Sequence, residues 1–148
     1  MIHAALAKHL TGLGIVDYHD DGTVGGDCFL DHMPPEPDAA VSITLYGGIA
    51  QPSSLPYDLP TVQIRTRGAK HDPVAPLVRI DAIYAALACL DGVTLDEGGA
   101  DEVHLVGCTA ALSASSTLGV DDNDRHERVQ NFDLHVHSPT TNRPAISA

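Results

Sequence analysis

Residues 61–92, TVQIRTRGAKHDPVAPLVRIDAIYAALACLDG, hold a strand pattern followed by the clearest helix pattern in the chain. In the first seven residues, Val62 and Ile64 alternate with polar side chains, which is typical of a strand with one buried face. Farther along, apolar side chains recur at helical spacing, at Leu77, Ile80, Ile83, Tyr84, Leu87 and Leu90. This stretch therefore predicts a strand that ends at Gly68 and a long helix that ends at Asp91-Gly92.

Shorter patterns on both sides of this stretch complete a mixed fold. The other predicted elements are a helix over residues 2–12 and strands over residues 15–19, 40–46, 93–95, 103–108 and 125–137. Alternation in the last strand breaks between Val129 and Phe132, which predicts a bulge. Residues 109–118 fit neither element. The order predicts an α+β fold: a single mixed, mainly antiparallel sheet with an N-terminal helix and a central helix packed against it.

Three segments fit no regular element. Residues 17–38 hold seven acidic residues, three glycines and three prolines, and no Lys or Arg occurs between Lys8 and Arg65. Such a segment is typically a solvated surface loop. Residues 51–60 contain three prolines and predict a connection, and residues 139–148 predict a polar C-terminal tail. We therefore expect one domain over residues 1–138, followed by that tail.

Composition excludes several classes of protein. The chain has 148 residues, enough for one domain, and its 8 Lys and Arg against 20 Asp and Glu give a net charge of -12. This balance argues against a general basic surface for nucleic acid. A hydrophobic content of 43% argues against a chain disordered throughout. No apolar run is long enough to span a membrane, and the N-terminus does not resemble a signal peptide.

The cysteines and histidines are candidate sites of chemistry. Cys28, Cys89 and Cys108 form no C-x-x-C pair, which fits a protein of a reducing cytosol. The last two lie in apolar runs, which predict that their side chains are small and buried. His135 and His137 would share one face of a strand, where His104, His126 and an Asp could complete a metal site. The alternative is a set of partly exposed strand histidines.

Other polar clusters are weaker candidates. Asp121, Asp122 and Asp124 resemble part of a cation-binding loop but lack the EF-hand pattern, so a solvated acidic turn or a weak surface cation site is expected. The serines at 113, 115 and 116 lie in no G-x-S-x-G motif, and no phosphate-binding loop is present. We therefore predict no catalytic residue and no cofactor.

Arg65 and Arg67 project from one face of the predicted strand in a chain with few basic residues. Two guanidinium groups at this spacing can grip carboxylates, so they predict an ion pair with the acidic loop, within one subunit or between subunits. A solvated sheet face is the alternative. Arg125, Glu127 and Asp133 are candidates for a similar role on the last strand. Our candidate subunit-interface residues are Arg65, Arg67, Arg125, His126 and Glu127.

The order of several motifs resembles a known family. The pattern consists of LPTVQIRTRG at residues 59–68, the helix around residues 80–90, GVTL at 92–95 and DRHERVQNF at 124–132. It is similar to that of the tail terminator proteins of long-tailed, siphovirus-like bacteriophages, often called minor capsid proteins. The likeness covers residues 59–138, and the N-terminal helix fits by position.

The resemblance implies a structural virion protein and no enzyme. Proteins of this family form a hexameric ring that terminates the tail tube and joins it to the head–tail connector. Implied partners are further copies of the chain, the tail tube protein and the connector, while DNA passes through the lumen and no membrane is involved. The protein would be made in the bacterial host cytoplasm and reside in the virion neck. The alternatives are another neck or head–tail adaptor protein, a small histidine-dependent metal enzyme, and a soluble host interaction domain.

The acidic composition fits a ring that encloses DNA. Acidic groups facing the lumen would repel the phosphate backbone and let DNA slide without sticking. We therefore expect acidic residues to face the lumen of the ring.

Overall fold

The computed structural model describes residues 1–50, 52 and 54–146. The helices of this part of the chain are α1 (Ile2–Gly12) and α2 (Val74–Leu87). Its strands are β1 (Cys28–Leu30), β2 (Ala40–Ile49), β3 (Tyr57–Lys70), β4 (Val93–Leu95), β5 (Val103–Ala110), β6 (Ser116–Val120) and β7 (Arg125–His137).

Strand β7 lies inside a seven-stranded sheet, in which six strands follow the order β1-β2-β3-β7-β5-β4 and β6 pairs with β7. One edge of β7 pairs with β3 along nearly its whole length. Its other edge pairs with β6 near the N-terminal end and with β5 near the C-terminal end. Strands β1 and β2 are parallel, and the remaining pairs are antiparallel. The predicted α+β class, with a single mixed and mainly antiparallel sheet, is confirmed.

The core forms where α1 and α2 pack on one face of the sheet. Alternate positions of β3 and β7 present fully buried side chains there, among them Val62, Ile64 and Phe132. The helices contribute Leu6, Leu10, Ile80, Ile83 and Leu87 to the same cluster. Alternation in the strands and the helical period of α2 are the patterns expected for a helix layer on a sheet.

Three contacts position the first turn of α2 over β3. The Asp72 carboxylate accepts hydrogen bonds from the backbone N–H groups of Val74 and Ala75, at 3.0 and 3.1 Å, which satisfies donors that a helix start leaves free. The Thr66 hydroxyl donates to the Pro76 carbonyl at 2.8 Å. A Cβ on Gly68 would lie 2.7 Å from Pro76 Cδ, so this close approach requires glycine.

Several boundaries differ from the sequence prediction. Residues 15–19 form no strand, because this link is held instead by contacts such as the Tyr18 N–H bond to the Thr11 hydroxyl. The acidic segment contains β1, which pairs with β2. Strand β3 begins at Tyr57 and passes Gly68 to reach Lys70. Helix α2 ends at Leu87, because the next residue takes an extended conformation with φ -62° and ψ 128°.

The predicted bulge in β7 is wrong. Pairing with β3 is continuous from Val129 to Phe132. The break in alternation arises because Gln130 occupies a core-facing position, where it is fully buried and its side-chain amide donates to the Leu112 carbonyl at 3.0 Å. The oxygen of the Gln130 side-chain amide accepts a hydrogen bond from the Asn131 N–H at 2.9 Å. At this core position, a polar side chain with hydrogen-bond partners therefore takes the place of an apolar side chain.

Parts of the predicted connection and tail lie against each other. Arg143 donates to the carbonyl oxygens of Leu55 and Tyr57 and to the Asp58 carboxylate, the last at 3.2 Å. The described part of the predicted tail thus returns to the start of β3. Residues 51 and 53 of the connection and residues 147 and 148 of the tail lie outside the described residues.

Candidate functional site

The sheet has a second face, opposite the two helices, which we call the open face. Cross-strand pairing places Ser42, Arg65 and Val129 in one row of this face. Arg67 and Glu127 pair in the neighbouring row. The fold therefore brings four of the five candidate interface residues together, because Arg125 binds the same segment as Arg67. His126 pairs with β6 instead.

Arg67 is a buried arginine that binds backbone carbonyls. Its guanidinium donates to the carbonyl oxygens of Pro34, Pro37 and Asp38, at 2.8, 2.6 and 2.8 Å. Burial lowers the pKa of Arg67, and the nearby Arg125 cation lowers it further. The side chain therefore holds the C-terminal part of the acidic segment against the open face of its own subunit.

Arg125 binds the same segment from β7. Its guanidinium donates to the Pro35 carbonyl at 2.6 Å and to the carboxylates of Asp38 and Asp121, at 3.1 and 2.8 Å. Although burial opposes it, hydrogen bonding to these two carboxylates raises the pKa of Arg125. The contact with Asp38 is an ion pair with the acidic segment within the subunit. The sequence predicted such a pair for Arg65 and Arg67, whereas the structure shows it for Arg125.

Arg65 forms an ion pair on the open face with Glu127, at 3.0 Å between Nη2 and Oε1. The Arg65 side chain is 34% exposed, so solvent screens the pair and its contribution to stability is within about 1 kcal/mol. Nε of Arg65 and Oδ1 of Asn131 are buried polar atoms without a hydrogen-bond partner among the described residues. This part of the open face therefore has unused hydrogen-bonding capacity.

His126 lies next to the β6 strand. It pairs with Val120 in the β6–β7 hairpin and is half-buried. Gly119 pairs with Glu127 in the same hairpin. The two candidate residues His126 and Glu127 are thus neighbours of the outer strand β6.

The histidines at the other end of β7 cluster with an aromatic ring. Tyr57 lies 5.4 Å from His135 and 5.2 Å from His137, measured between ring centroids, and His104 is the direct cross-strand partner of His137. Within residues 1–50, 52 and 54–146, no three His, Cys, Asp or Glu side chains are grouped so that they could hold a metal ion. The rings are partly exposed and are tilted against one another, at interplanar angles of 44° to 56°.

The acidic residues 121–124 form the turn between β6 and β7. The Asp121 carboxylate accepts from the N–H groups of Asn123 and Arg125 and from the Arg125 guanidinium. Although burial opposes it, these hydrogen bonds lower the pKa of Asp121. Asp122 and Asp124 are exposed in the same turn. Asp121 therefore has a structural role in holding the turn and Arg125.

Two exposed apolar patches were not predicted. The α2 patch consists of Val74 and Val78, which line a shallow groove with Ile15. The β6 patch consists of Leu118 and Val120. Each of the four residues in the two patches is between 49% and 62% exposed. Val74 and Val78 lie four positions apart and outside the core period of α2, which is a signal that could have identified them.

Comparison with known proteins identifies the family of the chain. No helix in the described part of the chain is long and apolar enough to cross a membrane. A comparison with curated proteins found no match. Residues 9–137 match the family model described as bacteriophage tail terminator protein. The chain therefore belongs to the bacteriophage tail terminator family, a family of structural proteins of the virion tail.

Proposed function

We propose that the chain forms a homohexameric ring that terminates the tail tube and joins it to the head–tail connector. Membership of the tail terminator family is the observation that carries this proposal. One rim of the ring would contact the tail tube protein and the other rim the connector. The chain would be made in the host cytoplasm and would act in the virion neck.

The two apolar patches support a ring. In a ring, each subunit uses two different surfaces, because the head of one subunit meets the tail of the next. Exposed apolar side chains that gather in patches are typical of interaction sites. The α2 patch and the β6 patch lie on different elements, and we propose that the α2 patch of one subunit packs on the β6 patch of its neighbour.

The candidate interface residues fit this arrangement at the β6 patch. His126 and Glu127 pair directly with residues of β6, and Arg65 is held by Glu127. We propose that these three residues contact the neighbouring subunit. Arg67 and Arg125 would contribute indirectly, by holding residues 34–38 in place.

The charge supports passage of DNA without binding. The net charge of -12 is repeated in every subunit, so the collective field of a ring depends on which acidic residues face the lumen. We propose that the lumen is acidic and repels the phosphate backbone. A ring that retains duplex DNA at low salt would contradict this part of the proposal.

Native mass spectrometry and electron microscopy test the ring itself. We expect six-subunit rings that cap assembled tail tubes and limit their length. Val78→Asp and Leu118→Asp should each abolish the rings, because each places a charge in one proposed contact. Ser113→Asp, which changes an exposed residue of the link between β5 and β6, is the matched control and should assemble normally.

Mixing the two disruptive variants tests the head-to-tail pairing. Each variant retains the patch that the other has lost, so a one-to-one mixture can form one intact contact but cannot close a ring. We expect dimers in the mixture and monomers in each separate sample. Rings formed by both variants would exclude the patches, and a wild-type monomer that ignores tail tubes would exclude the proposed function.

A further inference from the structure

Two of the three cysteines meet where the link after α2 runs along β5. The Cys89 N–H donates to the Cys108 carbonyl at 3.1 Å, and the Gly92 N–H donates to the Val106 carbonyl at 3.2 Å. Standard bond lengths allow at most about 7 Å between the Cα atoms of two residues joined by one such backbone hydrogen bond. The pair therefore lies within the span that a disulfide can bridge.

The two thiols differ in accessibility. Cys89 is exposed, which corrects the prediction that it is buried, and it has a φ of 64°. Cys108 is buried opposite Leu134 on the helix-facing side of β5. The pKa of Cys108 is raised to about 12, mainly by burial and to a smaller extent by the nearby Asp133 carboxylate and Cys89 thiol. A reagent in solution therefore reaches Cys89 first.

We propose that Cys89 and Cys108 are a redox-sensitive pair that a low-molecular-weight disulfide converts to an intramolecular disulfide. The Cys89 thiolate attacks one sulfur of the small disulfide and displaces one small thiolate, which leaves a mixed disulfide on Cys89. The Cys108 thiolate then attacks the Cys89 sulfur and displaces the second small thiolate. Two protein thiols are oxidised, one small disulfide is reduced to two thiols, and the two protons pass to the displaced thiolates.

The new bond would tie the end of α2 to β5 across the β4–β5 hairpin. The bond would close a loop of about 20 residues in the unfolded chain and so lower the entropy of that state. This typically raises the melting temperature of a protein of this size by about 5–10 °C. Under the function proposed above, the chain moves from a reducing cytoplasm to a released particle. The bond would then form only after release.

Incubation of the purified chain with oxidised glutathione tests the pair. We expect the number of free thiols to fall from three to one, with Cys28 retained, and a Cys89–Cys108 peptide in a non-reduced digest. The closing step should accelerate about tenfold per pH unit between neutral and mildly alkaline pH, because the Cys108 thiolate fraction rises tenfold per unit. Addition of a reductant should restore three thiols and the original melting temperature.

Three variants make the test specific. Cys28→Ser should behave as the wild type, whereas Cys108→Ser should accumulate the glutathione adduct on Cys89. Cys108→Ala gives a second variant if the serine variant does not fold. Retention of the glutathione adduct by the wild type, or an intermolecular disulfide through Cys89, would overturn the proposal.

Discussion

Arg67 on β3 and Arg125 on β7 bind the same short segment from two neighbouring strands. Arg67 donates to three backbone carbonyls between Pro34 and Asp38, and Arg125 donates to the Pro35 carbonyl and the Asp38 carboxylate. Two buried cations lie close together here, and the carboxylates of Asp38 and Asp121 balance their charge. The segment is thus held mainly through its backbone.

Arg67→Met should destabilise the fold. The substitution removes three charge-assisted hydrogen bonds and leaves carbonyl acceptors without their donors, so we expect a loss of about 2–4 kcal/mol in the free energy of unfolding. Urea denaturation measures this loss. Lys70→Met, which removes an exposed cation from the end of the same strand, should stay within about 0.5 kcal/mol of the wild type. An equal effect of both substitutions would show that the buried contacts contribute nothing.

Charge reversal separates Arg65 from Arg67. Arg67→Glu should impair folding, because it buries an anion among carbonyl oxygens. Arg65→Glu, at a position one-third exposed, should leave the unfolding transition within about 1 kcal/mol of the wild type but weaken ring assembly. Far-ultraviolet circular dichroism and native mass spectrometry distinguish the two outcomes. Normal rings from Arg65→Glu would mean that this side chain lies outside the subunit contact.

Periodicity predicted the elements with one buried face. Alternation identified the central part of β3, and the helical period identified α1 and α2, because each buries one side against the core. It missed β6, whose residues are mostly exposed on both sides. It also missed β1, which has only three residues and is a strand because β2 offers it a partner. Such pairings depend on distant parts of the chain.

The candidate site was predicted by residue type but not by partner. Spacing indicated that Arg65 and Arg67 share a face, which the register confirms. An isolated sequence suggests carboxylates as arginine partners, whereas Arg67 binds carbonyls that only the folded 34–38 segment brings together. Gln130 likewise interrupts the alternation of β7 in the sequence, and its place in the core depends on a hydrogen bond to Leu112, 18 residues away.

Lys8 should make stability dependent on acid pH. Its ammonium group bonds the carboxylates of Asp96 and Asp101, at 3.0 and 2.8 Å, and this contact is the main cause of the lowered pKa of each carboxyl. The stabilisation is fully present above the unfolded-state pKa of about 4 and is lost as pH falls through the lower folded-state values. Urea midpoints of the wild type and Lys8→Met should therefore differ at neutral pH and converge as the pH falls below the folded-state pKa values of the two carboxyls. A constant difference would contradict the assignment.

Gly68→Ala should destabilise the contact between β3 and α2. The new Cβ would lie 2.7 Å from Pro76 Cδ and 2.9 Å from the Asp72 carbonyl oxygen, and neither atom belongs to a flexible side chain. We expect a loss of about 1–3 kcal/mol, measured by thermal or urea unfolding. Gly107→Ala is a matched control, because a Cβ on this strand glycine meets no atom within 4 Å. A similar loss at both positions would point to backbone effects alone.

Gln130→Ala should loosen the link between β5 and β6. The substitution leaves a cavity at a fully buried position and removes the donor to the Leu112 carbonyl, so we expect a loss of about 2–4 kcal/mol. Hydrogen exchange should accelerate at residues 111–115 beyond the global change, because the amide anchors this segment to β7. Gln63→Ala, on the half-buried open face of the adjacent strand, is the matched control and should stay within about 1 kcal/mol of the wild type. The Ala111 N–H also donates to the Asn131 carbonyl at 2.8 Å. If hydrogen exchange at residues 111–115 is unchanged in Gln130→Ala, backbone pairing of this kind is sufficient to position the link.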